Sequence, residues 1–312
     1  MFNQIYNYFR QPRIYIIYNT TGMAFNNDVF YIKTLQSLLN QKYKNHKVFV
    51  SGCCHKPHSI NNIYSGLQGK VPICHIQDRI PVQASFNFTV KKAIEKFGPA
   101  DFYLYCDSGI GVKDNLTLKK LAKLGKTEKY SLISSQINSE TNHISDFKSH
   151  YIIPIGEEIP LIFTMFSHKW VETYKQLLPD IFFGNYVESP LNFMAAAIKT
   201  RWAINKDVIV NHNQGMDGSA CLAEVTPWER AGNTQWCHPY LISSNEFMQR
   251  MASLEAVKLG LGYAENVPVV LHDKLQYDIN GHNINNAIDY INDNYFLPDN
   301  IFNYNNVLYE WI

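Results

Sequence analysis

"ADFYLYCDSGIGV", residues 100–112, is the stretch on which the fold turns. Phe102, Tyr103, Leu104 and Tyr105 form the unbroken apolar run of a buried β-strand. The run then stops on Cys106, a lone carboxylate at Asp107 and the small-residue turn Ser108-Gly109. An ionised carboxylate is costly to bury without a partner, so a core strand that ends in one either caps a solvated turn or opens onto a site. The elements around it decide between these readings. Working back from Gly98-Pro99, a helix is expected over 82–96 with Phe86, Val90, Ala93 and Phe97 along one stripe. Before it come three short β-type runs, "RIYIIYN" from Arg13, "KVFVSGCC" from Lys47 and "VPICHI" from Val71. Asp28 is an N-cap for a helix over 29–41 between the first two. Residues 55–70 read as an irregular loop with a short helix near 60–67. Strand and helix alternate, which argues an α/β fold: a Rossmann-like, mostly parallel sheet flanked by helices. In such sheets ligands bind beyond the carboxyl ends of the strands, and Asp107 stands at one of those ends.

The composition is that of a folded protein with a sizeable core, 312 residues of which 46% are hydrophobic. Lys+Arg 28 against Asp+Glu 27 leaves a formal charge of +1, so the overall balance calls for neither nucleic acid nor an anionic membrane as the main partner, and leaves room for a local basic patch. Six cysteines without a C-x-x-C pair fit reduced thiols. The Cys53-Cys54-His55 cluster with His58 has no second Cys/His pair close by in sequence, which argues against structural zinc. There is neither a signal-peptide h-region nor an apolar run of the ~18 residues that a membrane span needs. A soluble, cytoplasmic protein with no transmembrane segment is the expectation.

Beyond Asp107, "NLTLKKLAKLGK" predicts a helix capped at Gly125, and "YSLISSQI", "YIIPIG" and "IPLIFTMF" predict strands. Ser167 caps a helix over 168–178. Ser189 and Pro190 then mark a second helix start, with Leu191, Met194, Ala195, Ile198 and Trp202 at helical spacing. Glu188 directly precedes that start, on an approach carrying Phe182, Phe183 and Tyr186. "DVIVNH" reads as an edge-type strand ending in His212. Residues 241–312 hold a helix over 245–259, a short strand "VPVVLH" and an Asn-rich tail. They are read as a mainly helical C-terminal extension, either an accessory lobe or a homo-oligomer contact, following a domain over 1–240.

This order of features resembles the GT-A glycosyltransferases, in particular the large inverting family that includes cellulose and chitin synthases. The resemblance runs from about Arg13 to Gly218 and rests on Asn19 and Thr20, "VQASFN" with Asn87, "YCDSG" with Asp107, "YVES" with Glu188 and "VNHNQG" with His212. It implies a GT-A-like catalytic domain that moves a sugar from a nucleoside-diphosphate sugar to a hydroxyl of a glycan or other acceptor, with inversion. It places Asn19, Thr20, Asn87 and Asp107 at the donor, and Asp107 and His212 at a metal-diphosphate site. The departures are that "DxD" is reduced to one carboxylate and "ED" to Val187-Glu188. If Asp107 holds the last acidic place it is the metal ligand itself; if it holds the first, that place is Gly109. We take the former.

The chemistry asks for the same groups. The leaving diphosphate gains charge that a hard Mn²⁺ or Mg²⁺ on a carboxylate can neutralise, and an imidazole at His212 tilts the choice toward Mn²⁺. The acceptor hydroxyl needs a general base, which Glu188 would supply. Taken alone, Glu188 would be a helix-terminal acid and His212 a strand-end histidine bonded to backbone. Arg79 could reach a diphosphate, as could Lys113. Tyr186, Trp228 and Trp236, with His238 and Tyr240, are candidate acceptor-binding groups, since aromatic faces stack on sugar rings; a hydrophobic cluster under a long loop is the alternative. Two other functions compete. A catalytically silent glycan- or nucleotide-binding protein would have no need of Glu188, and a sugar-nucleotide pyrophosphorylase would want a Gly- and Arg-rich loop where this chain has "NTTGMAFNND".

Overall fold

The computed structural model describes residues 10–21, 28–53, 57–77, 82–107, 110–137, 150–153, 159, 161–178, 189–212 and 307–312. β1 (Ile14–Thr21) is the spine of the fold, because its unbroken apolar run is buried on both sides. Ile14, Ile16 and Tyr18 enter one core layer while Tyr15 and Ile17 enter the other. The chain continues through α1 (Asp28–Leu39), β2 (His46–Cys53), α2 (Pro57–Gly66), β3 (Ile73–Ile76), α3 (Val82–Phe97) and β4 (Phe102–Cys106). It then forms β5 (Ile110–Gly111), α4 (Thr117–Gly125), β6 (Tyr130–Ile137), β7 (Tyr151–Ile152), β8 (Phe163–Ser167), α5 (His168–Tyr174), α6 (Ser189–Ala197), β9 (Arg201–His212) and β10 (Tyr309–Trp311).

The strands make one sheet in the order β10-β3-β2-β1-β4-β8-β6-β9-β5, with β7 also on β9. β1 to β4 are mutually parallel, and β6 and β9 run the same way; β8, β10, β5 and β7 are antiparallel to their neighbours. One core layer takes Leu35 and Leu38 of α1, Ile60 and Ile63 of α2 and Leu118 and Leu121 of α4. The other takes Phe86, Val90 and Ala93 of α3, Trp170 and Tyr174 of α5 and Leu191, Met194 and Ala195 of α6. This is the mostly parallel, helix-flanked α/β sheet expected from the sequence. Among the described residues no helix is long and apolar enough to cross a membrane.

Several local expectations need correction. Trp202 is not on the helix that starts at Ser189: Lys199 takes a left-handed φ of 56° and Thr200 N–H closes on Ala195 O at 2.9 Å, so the helix stops and Trp202 sits in β9. β9 begins at Arg201, earlier than "DVIVNH", and is not an edge strand, because it pairs with β6 on one side and with β5 and β7 on the other. The helix after Ser167 ends at Tyr174, where Lys175 adopts the same left-handed conformation. Of "YIIPIG", Tyr151–Ile152 is strand, Ile153 is not, and residues 154–156 lie outside the described residues. Residues 57–66, expected as mostly loop, form a helix. Residues 213–306, which include 241–306 of the C-terminal extension with its expected helix and strand, lie outside the described residues.

The last six residues return to the sheet. β10 lies antiparallel on β3, and Ile73 and Ile312 exchange N–H···O bonds of 3.0 Å each. Glu310 Oε1 meets His75 Nδ1 at 3.0 Å. Trp311 packs edge-on against Phe49 and Phe97, with ring centroids 5.9 and 5.8 Å away, and Tyr309 against Phe88 at 4.9 Å. The tail thus covers the exposed edge that β3 would otherwise present.

Candidate functional site

The site is fixed by where the chain reverses its march across the sheet. From β1 it steps to β2 and β3 on one side, then returns under α3 to lay β4 on the other side of β1. β1 is thus the strand at which the order reverses, and in an open α/β sheet the carboxyl ends of the strands at such a reversal are where ligands bind. Tyr18 is in register with Cys106, so the next residues, Asn19 and Asp107, stand side by side at the carboxyl ends of β1 and β4.

Asn19 is 2% exposed, and its Oδ1 accepts no hydrogen bond from any described residue. A buried acceptor left unsatisfied costs about 1–3 kcal/mol, so a group that donates to it is favoured there. Thr20 is fully buried, with its hydroxyl donating to Ser51 O at 3.2 Å. Ser51 in turn donates to Ser85 O (3.1 Å) and accepts from Thr89 Oγ1 (2.9 Å). This hydroxyl chain ties the ends of β1 and β2 to α3. Sequence reasoning passed over Ser51, Ser85 and Thr89; the small polar residues closing "VFVSGC" were the signal.

Asp107 is partly exposed, its N–H held by Ile162 O at 2.9 Å, so the β4–β8 ladder extends to the carboxylate-bearing residue and fixes its backbone. Its own carbonyl accepts from Ile110 N–H at 3.4 Å, closing the turn. Ile110 is paired in register with His212 across β5 and β9. The fold therefore brings Asp107 and His212, more than a hundred residues apart in sequence, to one corner of the sheet. Cys106, fully buried, is no nucleophile: burial, and then the Asp107 charge beside it, push its thiol well above the ordinary range.

Asn87 is 6% exposed and occupied at both ends of its amide. Nδ2 donates to Leu178 O at 2.7 Å, and Oδ1 accepts from Leu177 and Leu178 N–H at 3.0 and 3.1 Å. Those bonds assign it to holding the 177–178 segment on α3, in place of the donor contact expected from the sequence. α6 already includes Ser189, one residue earlier than a Ser189 N-cap with Pro190 first in the helix would put its start, and the C-terminal end of that helix feeds the amino end of β9. Glu188, Arg79, Tyr186, Trp228 and Trp236, with Phe182, Phe183, His238 and Tyr240, lie outside the described residues. Lys113 is exposed.

Among the described residues no group of three His, Cys, Asp or Glu side chains converges. A divalent cation here would draw on a carboxylate and on ligand oxygens, as Mg²⁺ and Mn²⁺ do when they bind through phosphates. Asp107, a hard oxygen donor partly open to solvent at the carboxyl end of β4, suits such an ion.

No protein-family model matches the sequence, and no curated protein matches it. Solved structures do. S. aureus TarS 1-349 in complex with UDP superposes with a TM-score of 0.51 at 13% identity, over 64% of this chain and 60% of that one. S. aureus TarS gives 0.52 at 15% identity over 78% of this chain and 39% of that one. The mannosyltransferase PcManGT from Pyrobaculum calidifontis, in complex with GDP-Man and Mn²⁺, gives 0.51 at 11% identity over 81% and 77%. The chain thus spans 60% and 39% of the two TarS chains. At these identities the likeness is one of fold: the chain shares with these structures the GT-A-like, mostly parallel α/β fold expected from the sequence.

Proposed function

We propose that this protein is a glycosyltransferase that moves a sugar from a nucleoside-diphosphate sugar to a hydroxyl of a glycan or other acceptor. The observation that carries the reading is the pairing at the carboxyl ends of β1 and β4, where Asn19, with its buried Oδ1 lacking a donor, and Asp107 stand on adjacent parallel strands near the end of β9. A fold shared with a protein holding UDP and with one holding GDP-Man and Mn²⁺ supports it.

In this reading Asn19 and Thr20 line the nucleotide end of the donor site. Asp107 holds Mn²⁺ or Mg²⁺ together with His212, and Arg79 lies toward the diphosphate. The cation, when bound, neutralises charge on the departing diphosphate. The protein's own work is positional. The Asp107 backbone is fixed by Ile162 and Ile110, and the hydroxyl chain through Ser51 keeps the floor under Asn19 rigid. Glu188, before α6, accepts the proton of the acceptor hydroxyl as that oxygen bonds to the anomeric carbon, and the bond to the diphosphate oxygen breaks on the opposite face, which inverts the centre. Tyr186, Trp228 and Trp236 bind the acceptor.

Two measurements on sugar transfer test this. Glu188→Gln should lower turnover by about 10²- to 10⁴-fold while donor affinity holds. The product should carry the configuration opposite to the donor's. Retention of configuration, or near wild-type transfer by Glu188→Gln, removes Glu188 from the role of base. A silent binding protein would instead bind nucleotide and transfer nothing.

A further inference from the structure

The overall charge of +1 hides a strong local asymmetry. The stretch 113–129, "KDNLTLKKLAKLGKTEK", holds six lysines against two acids, a net of +4. α4 buries Leu118, Leu121, Ala122 and Leu124 in the core and leaves Lys119 and Lys123 exposed, with Lys126, the residue that caps its end, exposed as well, at i, i+4 and i+7. Of the two acids, Asp114 is bound to Lys120 Nζ at 2.7 Å and to Leu116 N–H at 2.9 Å, so its charge is matched locally. A separate segment adds to the same surface. Lys42 N–H donates to Asn115 O at 2.8 Å, which sets the exposed Lys42 and Lys44 against the start of α4. Leu116, the residue after that contact, is 39% exposed.

The kind of cation says what such a face meets. Every positive residue in 42–44 and 113–129 is lysine, and the one aromatic in these segments, Tyr43, is buried. Nucleic acid and phosphorylated polymers are gripped by the planar fork of Arg, by stacking platforms and by grooves. A convex lysine face with an exposed leucine offers instead mobile point charges on apolar stems, which suits the diffuse negative charge and shallow apolar boundary of a bilayer. We propose that the outward face of α4, with Lys42, Lys44 and Lys113, docks this protein on an anionic lipid surface. The inference is independent of the reaction assigned above, since that reading uses no residue of α4.

Sedimentation of the full chain with vesicles tests it. Phosphatidylcholine vesicles containing roughly one part in three of phosphatidylglycerol should carry the protein down, pure phosphatidylcholine should not, and raising salt from about 0.1 M to about 0.5 M should release it. The triple variant Lys119→Gln, Lys123→Gln, Lys126→Gln should partition at least tenfold more weakly at an unchanged melting temperature. A control triple at exposed lysines elsewhere, Lys70→Gln, Lys91→Gln, Lys169→Gln, should bind as wild type. Lys123→Glu alone serves if the triple fails to fold, and should weaken binding severalfold. The proposal is overturned if the protein ignores anionic vesicles, if it binds neutral and anionic vesicles alike, if the control triple loses as much as the α4 triple, or if it binds soluble polyphosphate but not vesicles.

Discussion

Asn87→Ala separates an anchoring residue from a ligand-binding one. Three hydrogen bonds of 2.7, 3.0 and 3.1 Å join its amide to the backbone of Leu177 and Leu178, which are 0% and 1% exposed. Truncation removes the amide and strands two N–H groups and one carbonyl where water has little access. At about 1 kcal/mol for each stranded group, the low end of the usual ~1–3 kcal/mol, the loss is about 3 kcal/mol. Urea unfolding followed by tryptophan fluorescence reads this directly, since buried Trp170 donates its indole N–H to Leu177 O at 3.0 Å in the same segment. The midpoint should fall with the slope unchanged. Affinity for UDP and GDP, measured on the folded fraction, should stay within about twofold. A stability loss under about 1 kcal/mol, or a tenfold loss of nucleotide affinity at full stability, would refute the anchoring role.

The C-terminal strand makes a second prediction. Trp311→Ala removes a partly buried indole from Phe49 and Phe97 and should lower stability by about 2 kcal/mol, below the ~3–5 kcal/mol of a fully buried ring; an unchanged urea midpoint would show that the tail merely rests on the edge. A third concerns alkaline pH. Burial raises the Cys74 thiol to about 12, so above about pH 9 the unfolded chain releases a proton that the folded chain retains. Stability should therefore fall as pH rises through that window, by up to about 1.4 kcal/mol per pH unit for this group. Cys74→Ala should flatten the fall, and an identical slope in the variant would assign the effect elsewhere.

The parallel half of the sheet was legible because its strands are buried on both faces. "RIYIIYN" and "FYLYC" are unbroken apolar runs that no surface strand could carry, and Gly98-Pro99 punctuates the helix between β3 and β4. Alternation put Asp107 at the carboxyl end of a strand; Asn19 and Thr20 were singled out by the resemblance alone, and the strand order that sets Asn19 beside Asp107 has no local signature. What failed was set by contacts distant in sequence. The antiparallel insertion of β8 between β4 and β6 depends on pairing Leu104 with Met165, which no local pattern records. Trp202 kept helical spacing by coincidence, while the helix stopped at a lysine in a conformation usually taken by glycine. Asn87 is the third case: an amide facing a ligand and an amide facing backbone have the same sequence signature, and only the partners distinguish them.

What most needs testing is whether the carboxyl ends of β1 and β4 bind a nucleoside diphosphate through Asp107 and a divalent cation. Titration calorimetry of the full chain with UDP, GDP, ADP and CDP, each with Mn²⁺ and with excess chelator, tests it most directly. At least one nucleotide should bind in the presence of Mn²⁺, and this binding should be lost on chelation and weakened at least tenfold in Asp107→Asn at unchanged stability. The absence of heat from every nucleotide at millimolar concentration with metal present, or binding that is indifferent to both chelator and Asp107→Asn, would contradict it.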